Sequence, residues 1–391
     1  MSVTHPQGFT AASVAAGMRS TGKPDVALIV NDGPSKVGAG VFTTNRVVAA
    51  PVTWSQQVVA DGRVDAVILN AAGANACTGP EGFADTHATA ERTAAALQVA
   101  GKDVSAGDVA VCSTGLIGVR LPMDKLLPAV DTAALQLSAT AGHDAAGAIM
   151  TTDSHPKTTV VEREGWSIGG MAKGAGMLAP GMATMLSVIT TDAVLDPAQA
   201  QEMLTAAVAT TFNRVDSDGC MSTNDTVLLL VSGASGITPD ADDFLAALTQ
   251  ASADLSRQLV ADAEGSSHDI AVTVVNATTE HAAEAVARAI TRSNLFKAAI
   301  FGEDPNWGRI ISAAGTVPAE IAPYDATQLD VTVNGVQVCR AAGVGEDRSG
   351  VDLSGREVVV TVDLHAGTAE ATVWTNDLTH DYVHENSAYS S

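Results

Sequence analysis

The sequence predicts an α+β fold of mixed, layered architecture. Helix-forming segments and β-branched runs interleave along all 391 residues. The β-branched runs gather toward the C-terminus instead of alternating strictly with helices, so a doubly wound parallel sheet is not expected. Because 46% of the residues are hydrophobic, the chain can bury a large core, and its length favours about two to three structural units.

The individual elements follow from local composition. Helices are predicted where residues that favour a helix start precede good helix formers, and strands where β-branched residues cluster. No repeat of solenoid length and no low-complexity linker interrupts them. The predicted helices are 85–100, 196–210, 238–264 and 278–292. The clearest predicted strands are 66–69, 109–112, 227–231, 270–275, 331–338 and 358–362.

Charge and cysteine usage exclude several classes of function. A formal net charge of -23 argues against nucleic acid or an anionic membrane as the main partner. The N-terminus lacks a basic start followed by an apolar core, so no secretory signal is expected. No apolar run approaches the roughly 18 to 20 residues of a membrane span. Four scattered cysteines without a CxxC pair predict neither a disulfide framework nor a zinc site. We therefore expect a protein of the reducing cytoplasm.

The segment 173–192 places a threonine after a glycine-rich lysine loop. If the Ala183–Thr184 peptide bond is broken, Thr184 carries a hydroxyl nucleophile and a free amine. An α-amine titrates at roughly 7.7 to 8.0 and can serve as the base that a threonine hydroxyl needs. The alternative is a strand residue packed at a sheet surface, which the local apolar run 182–189 by itself favours.

Five sequence blocks carry a family resemblance. KGAGMLAP at 173–180, followed by MATML at 182–186 and TTD at 190–192, resembles the self-cleavage signature of the ArgJ family, the ornithine acetyltransferases. One block alone is weak evidence, but five in register from near the N-terminus to the end of the chain are specific. The further blocks, in family order, are NAAGANACTG at 70–79, STGLIG at 113–118, STNDT at 222–226 and FGEDPNWGR at 301–309.

The resemblance implies a self-cleaving fold of the N-terminal-nucleophile type. It implies a cut between Ala183 and Thr184 into fragments 1–183 and 184–391, which stay intertwined, with two copies of each in a heterotetramer. The implied reaction is ping-pong transfer of acetyl from N2-acetyl-L-ornithine to L-glutamate through an acetyl-Thr184 intermediate, in arginine biosynthesis. No cofactor is implied. Some members also take acetyl from acetyl-CoA, and the sequence leaves that open.

The resemblance also assigns the site residues. Thr114 and Gly115 form the oxyanion hole, a role that a hydroxyl and a backbone N–H after a strand can fill; an ordinary glycine turn is the alternative. Lys173 suits a substrate carboxylate, and Glu264 suits the ammonium group of ornithine. The substrate-binding positions matched by the resemblance are Thr151 (or its neighbour Thr152), Lys173, Thr184, Glu264, Asn386 and Ser391.

Other patterns favour plain structural explanations. The glycines around Lys173 satisfy neither phosphate-loop pattern, and Asp216-x-Asp218 lacks the remaining ligands of a calcium loop. No histidine pair has metal-ligand spacing, so no metal is expected. His268 stands where the family more often has lysine, which bears on the loop beside Glu264. The polar and aromatic residues of block 301–309 are expected to support the site structurally.

Three rival functions remain open from the sequence. The same self-cleavage chemistry could pass the acyl group to water, as in an amidohydrolase or aminopeptidase. A non-catalytic protein would never cleave and would stay intact at 39.6 kDa. A relative in a secondary pathway would keep the chemistry and use a different acceptor.

Overall fold

The computed structural model describes residues 2–179 and 185–388. Strands and α-helices are numbered here in chain order within those residues. The strands are β1 (Phe9–Val14), β2 (Val26–Asn31), β3 (Val37–Phe42), β4 (Ala66–Asn70), β5 (Val109–Ser113), β6 (Lys157–Arg163), β7 (Trp166–Lys173), β8 (Leu186–Thr191), β9 (Thr226–Val231), β10 (Asp269–Ala277), β11 (Asp330–Val333), β12 (Val336–Arg340), β13 (Gly343–Val344), β14 (Glu357–Asp363) and β15 (Ala369–Asn376). The helices are α1 (Ala50–Val58), α2 (Gly79–Val99), α3 (Met123–Leu135), α4 (Gly142–Ala148), α5 (Pro197–Thr210), α6 (Ala241–Ala261), α7 (Glu280–Thr291), α8 (Asn294–Phe301), α9 (Trp307–Ala314) and α10 (His380–Ala388).

Two sheets stack face to face at the centre of the molecule. One has the order β1-β2-β4-β5 and the other β3-β9-β8-β7-β6. Buried side chains of both sheets share one core, including Ile29 and Leu69 from the first and Met171 and Leu228 from the second. Helices α2 and α3 cover the outer face of the first sheet, and α5 and α6 cover that of the second. The result is a four-layer arrangement of helices, two sheets and helices.

The C-terminal part forms a third sheet with the order β13-β12-β11-β14-β10-β15. Its buried face packs against α7, α8 and α9 around Ile270, Val360 and Phe296. Parallel and antiparallel pairs occur together in this sheet, because β10 is parallel to β14 and antiparallel to β15. The α+β prediction is confirmed.

The predicted helices and most predicted strands coincide with observed elements, but one prediction was wrong. The expected single strand 331–338 is a hairpin of β11 and β12. Asn334 and Gly335 adopt φ of 44° and 85°, and two-residue hairpin turns require such positive φ values. The six predicted strands did not include β1, β2, β3, β6, β7, β8, β13 and β15. Strands β3 and β7 each contain two glycines, which lower strand propensity; pairing with neighbouring strands compensates.

Strand ends from both central sheets meet at one edge. The parallel strands β4 and β5 both end there, at Asn70 and Ser113. In the second sheet β7 ends at Lys173, which pairs with Leu186 at the start of β8, and Leu186 in turn pairs with Thr226 at the start of β9. The loops that carry the sequence motifs therefore emerge side by side. Among the described helices, none is both long and apolar enough to cross a membrane.

Candidate active site

A cavity of about 240 Å³ lies at this edge. It is smaller than the roughly 300–1,000 Å³ typical of drug-sized ligands, so it suits a small molecule. The structure brings together at this cavity every predicted site residue that it describes. Thr184 and Ser391, with the Ala183–Thr184 bond, lie outside the described residues. The predicted residues that line the cavity are Thr114, Gly115, Thr151, Lys173, Glu264 and Asn386, together with Thr152.

The loop after β5 brings the Thr114 hydroxyl and the Gly115 backbone to the cavity. The backbone N–H of Thr114 is used, since it donates to Asn70 O at 3.0 Å. The Thr114 Oγ1 accepts a hydrogen bond from Lys173 Nζ at 3.2 Å, which leaves the hydroxyl proton free to donate elsewhere. Gly115 has φ of 129°, and a Cβ there would lie 2.8 Å from Gly73 N, so the position requires glycine. A hydroxyl and an adjacent amide can together stabilise an oxyanion.

Asp153, which the sequence reasoning missed as a functional residue, lies near two buried lysines, Lys157 and Lys173. Asp153 Oδ1 accepts hydrogen bonds from Lys157 Nζ and Gly174 N, each at 2.6 Å, and Oδ2 accepts one from Thr151 N at 2.9 Å. Burial raises the pKa of Asp153, but the Lys173 and Lys157 charges and the Gly174 amide outweigh it and lower the pKa to about 2. Asp153 is therefore an anion that joins the lysine loop to Thr151.

Lys173 is fully buried and lines the cavity. Burial lowers its pKa, and the nearby carboxylate of Asp153 opposes that change. A buried cation beside a small cavity attracts an anionic group of a ligand, because the low local dielectric strengthens the interaction.

The Glu264 carboxylate sits directly over the glycine-rich loop. Its backbone N–H donates to Ala175 O at 2.8 Å, and a Cβ on Gly176 would lie only 2.5 Å from Glu264 Oε2. Gly176, the second glycine of the KGAG motif, thus lets the Glu264 carboxylate lie close to the backbone of the loop. The motif that first suggested a phosphate loop instead makes room for a carboxylate.

Helix α10 carries Asn386 to the cavity from near the end of the chain. The helix is anchored to the loop after Glu264, since Thr379 Oγ1 donates to Gly265 O at 2.5 Å. The Tyr382 N–H donates to the same threonine oxygen at 2.9 Å. Terminal residues are commonly disordered unless tied down, and these bonds supply the attachment for a residue that the family resemblance placed in the site.

The block 222–226 joins the other motifs together. Asn224 Nδ2 donates to Ala74 O at 2.6 Å and to Ser113 O at 2.8 Å, and Ser222 and Thr223 line the cavity. Sequence reasoning noted this block without assigning it a role in the site. Its only signal was its place among the family motifs, because contacts over such sequence separations cannot be read from spacing.

Asp225 is a fully buried carboxyl group beside Met185, the first residue of the described range 185–388. Its Oδ1 accepts the Met185 N–H at 3.1 Å. Burial raises its pKa well above the usual value, although the Met185 amide, the Ser222 hydroxyl and Lys173 act in the opposite direction. Through its bond to the Met185 amide, Asp225 fixes the backbone at the start of β8.

The remaining polar motifs are satisfied structurally. Asp218 accepts the backbone N–H groups of Met177 at 2.6 Å and Cys220 at 3.1 Å, as expected for a hydrogen-bonded turn. His268 lies between Asp377 Oδ2 at 2.8 Å and Leu353 O at 3.0 Å. Across residues 2–179 and 185–388, no cluster of three or more His, Cys, Asp or Glu residues is placed to hold a metal ion.

The block 301–309 lies apart from the cavity. Asn306 caps α9 by accepting the Arg309 N–H at 3.2 Å, and Arg309 Nη1 donates to Leu295 O at 2.6 Å. These bonds connect α8 to α9. The block therefore supports the packing of α8 against α9. None of its residues lines the cavity.

Comparisons with known proteins place the chain in a family. The sequence model of the ArgJ family matches residues 10–391. The arginine biosynthesis bifunctional protein ArgJ of Streptomyces coelicolor is 62% identical over 391 residues, and that of Bifidobacterium longum is 58% identical over 396; both alignments cover all of each chain. A crystal structure of ornithine acetyltransferase complexed with ornithine from Mycobacterium tuberculosis is 56% identical, covers 47% of this chain and 96% of that chain, and has a TM-score of 0.46. Because the family model matches residues 10–391 and both relatives align over the whole of this chain, the chain belongs to the ArgJ family.

Proposed function

We propose that the protein transfers the acetyl group of N2-acetyl-L-ornithine to L-glutamate in arginine biosynthesis. The observation that carries the proposal is the convergence of Thr114, Gly115, Lys173 and Glu264 on one small cavity. Oxyanion donors, a cation and a carboxylate are the groups that an acetylated amino acid requires. The names of the full-length relatives, which place those proteins in arginine biosynthesis, support the pathway.

The proposed reaction has two steps with one covalent intermediate. The Thr184 hydroxyl oxygen attacks the acetyl carbonyl while its own α-amine takes the hydroxyl proton. Thr114 and Gly115 donate hydrogen bonds to the oxyanion, and collapse expels ornithine, whose amine takes up the proton. The α-amine of glutamate then attacks acetyl-Thr184, and N-acetyl-L-glutamate leaves as the hydroxyl is re-formed.

Charge complementarity supports this choice of substrate. The buried Lys173 ammonium pairs with the α-carboxylate of the bound amino acid, and the Glu264 carboxylate with the side-chain ammonium of ornithine. Thr151 and Asn386 line the same cavity and offer hydrogen bonds. Thr184 and Ser391 are the remaining substrate-binding residues of the proposal.

Self-cleavage at Ala183–Thr184 into 1–183 and 184–391 is part of the proposal. Strands β7 and β8, on either side of that bond, are paired along Lys173 and Leu186, and β3 pairs with β9. Such mixed pairing would keep the two fragments together after cleavage. We propose a heterotetramer with two copies of each fragment, to be measured by analytical ultracentrifugation. A cytoplasmic location is proposed as well, supported by the exposed free cysteines Cys77 and Cys220.

The first test combines fragment analysis with Thr184→Ala. The wild-type protein should run as two bands on a denaturing gel, one with the N-terminal sequence Thr-Met-Leu-Ser-Val, because the free amine exists only after cleavage. The Thr184→Ala variant should stay whole at 39.6 kDa and transfer no acetyl. Thr205→Ala, at an exposed position on α5, is the matched control and should behave as wild type. An uncleaved wild-type chain would contradict the mechanism.

Product analysis separates transfer from hydrolysis. With acetylornithine and glutamate together, N-acetylglutamate should form and the double-reciprocal plots should be parallel. Free acetate with glutamate present would indicate an amidohydrolase instead. We also propose acetyl-CoA as a second donor, supported by the word bifunctional in the relatives' names, and measured as glutamate-dependent release of the free thiol.

Gly176→Ala should weaken substrate binding without unfolding the protein. The new Cβ would lie 2.5 Å from Glu264 Oε2, and the flexible glutamate side chain can move away at little cost to stability. We expect KM for acetylornithine to rise about tenfold, equivalent to about 1.4 kcal/mol, with the same midpoint of thermal unfolding. Gly355→Ala, where a Cβ meets open space, is the control. An unchanged KM would show that Glu264 does not bind the ornithine part of the substrate.

A further inference from the structure

A second polar cavity of about 280 Å³ adjoins the catalytic one. Glu264 lines both cavities and forms part of the wall between them. The other polar groups that line the second cavity are Ser217, Asp218, Asn294, Lys297, Asn376, Asp377 and Tyr382.

Lys297 is a buried cation in this second cavity. It lies on α8 with 7% of its surface exposed, and its Nζ donates a hydrogen bond to Ser217 O. No carboxylate in the described part of the chain lies within the ion-pair distance of 4.0 Å from this nitrogen. An ammonium has three N–H donors, so Lys297 has capacity for a further acceptor. Burial lowers its pKa, which the more distant Asp218, Asp216 and Asp377 partly oppose.

The carboxylates around Lys297 are already engaged by other partners. A buried charge is costly unless an opposite charge and hydrogen bonds compensate it. An anionic group bound in the cavity would supply that compensation. The existing pairings are Asp216 with Arg288 and Arg292, Asp377 with Ser267 and His268, and Asp218 with the amides of Met177 and Cys220.

The proposed reaction requires such a cation near Glu264. Both amino acids must place their α-amine at the same acetyl group, so their side chains extend in the same direction from it. The ornithine side chain ends in an ammonium, and the glutamate side chain ends in a carboxylate. Glu264 attracts the first and repels the second. A cation that lines the same space as Glu264 is needed for a single site to accept both.

The other buried lysines near the site are committed elsewhere. Lys157 Nζ contacts Asp153 Oδ1 and Asp262 Oδ2, each at 2.6 Å. Lys173 contacts the Thr114 hydroxyl at the reacting end of the cavity. Lys297 has neither constraint and shares a cavity with Glu264.

We propose that Lys297 binds the side-chain carboxylate of the glutamate acceptor and thereby determines acceptor specificity, while Glu264 serves the ornithine ammonium. This inference rests on the proposed function. It divides the recognition of two oppositely charged side chains between two groups that line the same cavity, so the protein does not have to rearrange its charges between the two half-reactions.

The test compares glutamate with glutamine, which has a neutral amide in place of the carboxylate. With acetylornithine as donor, wild type should prefer glutamate at least tenfold in kcat/KM. Lys297→Met should lower kcat/KM for glutamate about 100-fold, the size expected on truncating one partner of a buried charge pair. The kcat/KM for glutamine should change less than about threefold, so the preference for glutamate over glutamine should be lost. Lys297→Gln, which can still donate to Ser217 O, should give the same result.

The first half-reaction is the internal control. Ornithine released in a single burst without acceptor should be the same in wild type and both variants, which also verifies folding and cleavage. Lys36→Met is the matched control, because Lys36 is a partly buried lysine that, like Lys297, donates to a backbone carbonyl, that of Asn31.

The outcomes separate the two proposals. A wild-type enzyme that accepts glutamine as well as glutamate, or Lys297 variants that keep the preference for glutamate, would overturn the role of Lys297 alone. A wild-type protein that acetylates neither amino acid would overturn the proposed function.

Discussion

Thr114→Val is expected to lower kcat about 100- to 1,000-fold, the usual effect of removing one oxyanion-hole donor. Valine keeps the shape of threonine but cannot donate to the developing oxyanion. The Gly115 amide remains, so residual activity should be measurable. Thr114→Ser restores the hydroxyl and should stay within about tenfold of wild type. The measurement is the single-turnover release of ornithine from acetylornithine, made on protein whose self-cleavage has gone to completion.

A matched change elsewhere distinguishes this effect from a general loss of a hydroxyl. Thr93 is also fully buried and its Oγ1 donates to Thr89 O at 2.8 Å within α2. Thr93→Val should leave kcat unchanged. A Thr114→Val rate within tenfold of wild type would show that the hydroxyl does not stabilise the transition state, and its bond from Lys173 would then be structural.

Asp153→Asn is expected to lower the free energy of unfolding by about 3–5 kcal/mol, because it leaves a buried lysine charge without compensation. Two buried lysines, Lys157 and Lys173, lie near this carboxylate, and of the two ion pairs that the structure gives Lys157 only the one with Asp262 would remain. Equilibrium unfolding in urea measures the change. The double variant Asp153→Asn with Lys157→Met removes one charge of each sign and should recover part of the loss.

The control for this prediction is Asp131→Asn, which breaks the exposed ion pair with Arg92 and should leave stability nearly unchanged. If Asp153→Asn were equally mild, the buried lysines would have to be neutral in the folded protein. That result would contradict the attraction of substrate carboxylates to Lys173.

The Asp153 pKa also predicts a pH dependence. The folded value of about 2 lies below the roughly 3.9 of an unfolded chain, so the unfolded state binds the proton more readily. Asp153 therefore contributes stability above about pH 4, and this contribution is lost as the pH falls through about 2. Between those values the unfolding free energy of wild type should fall more steeply than that of Asp153→Asn. Equal slopes would contradict the assignment.

The sequence by itself determined the family and most of the chemistry. The order and spacing of the five blocks can be read without knowing the fold. A threonine that follows a glycine-rich lysine loop indicates a nucleophile by its residue type alone. Local propensity also located the helices made mostly of helix formers, such as α7, and the strands made mostly of apolar and β-branched residues, such as β9. Propensity failed at the hairpin of β11 and β12 and at the glycine-containing β7, where turn geometry or pairing decides.

Only the tertiary structure decided how these residues act together. Asp153 is held as an anion because Lys157, at the start of β6, and Lys173, at the end of β7, are buried beside it, and complete burial raises the pKa of Asp225. The Gly176 approach to Glu264 and the second cavity with Lys297 likewise depend on elements distant in the chain. Burial and long-range contacts set these charges and distances, and neither is encoded in the local pattern of residues.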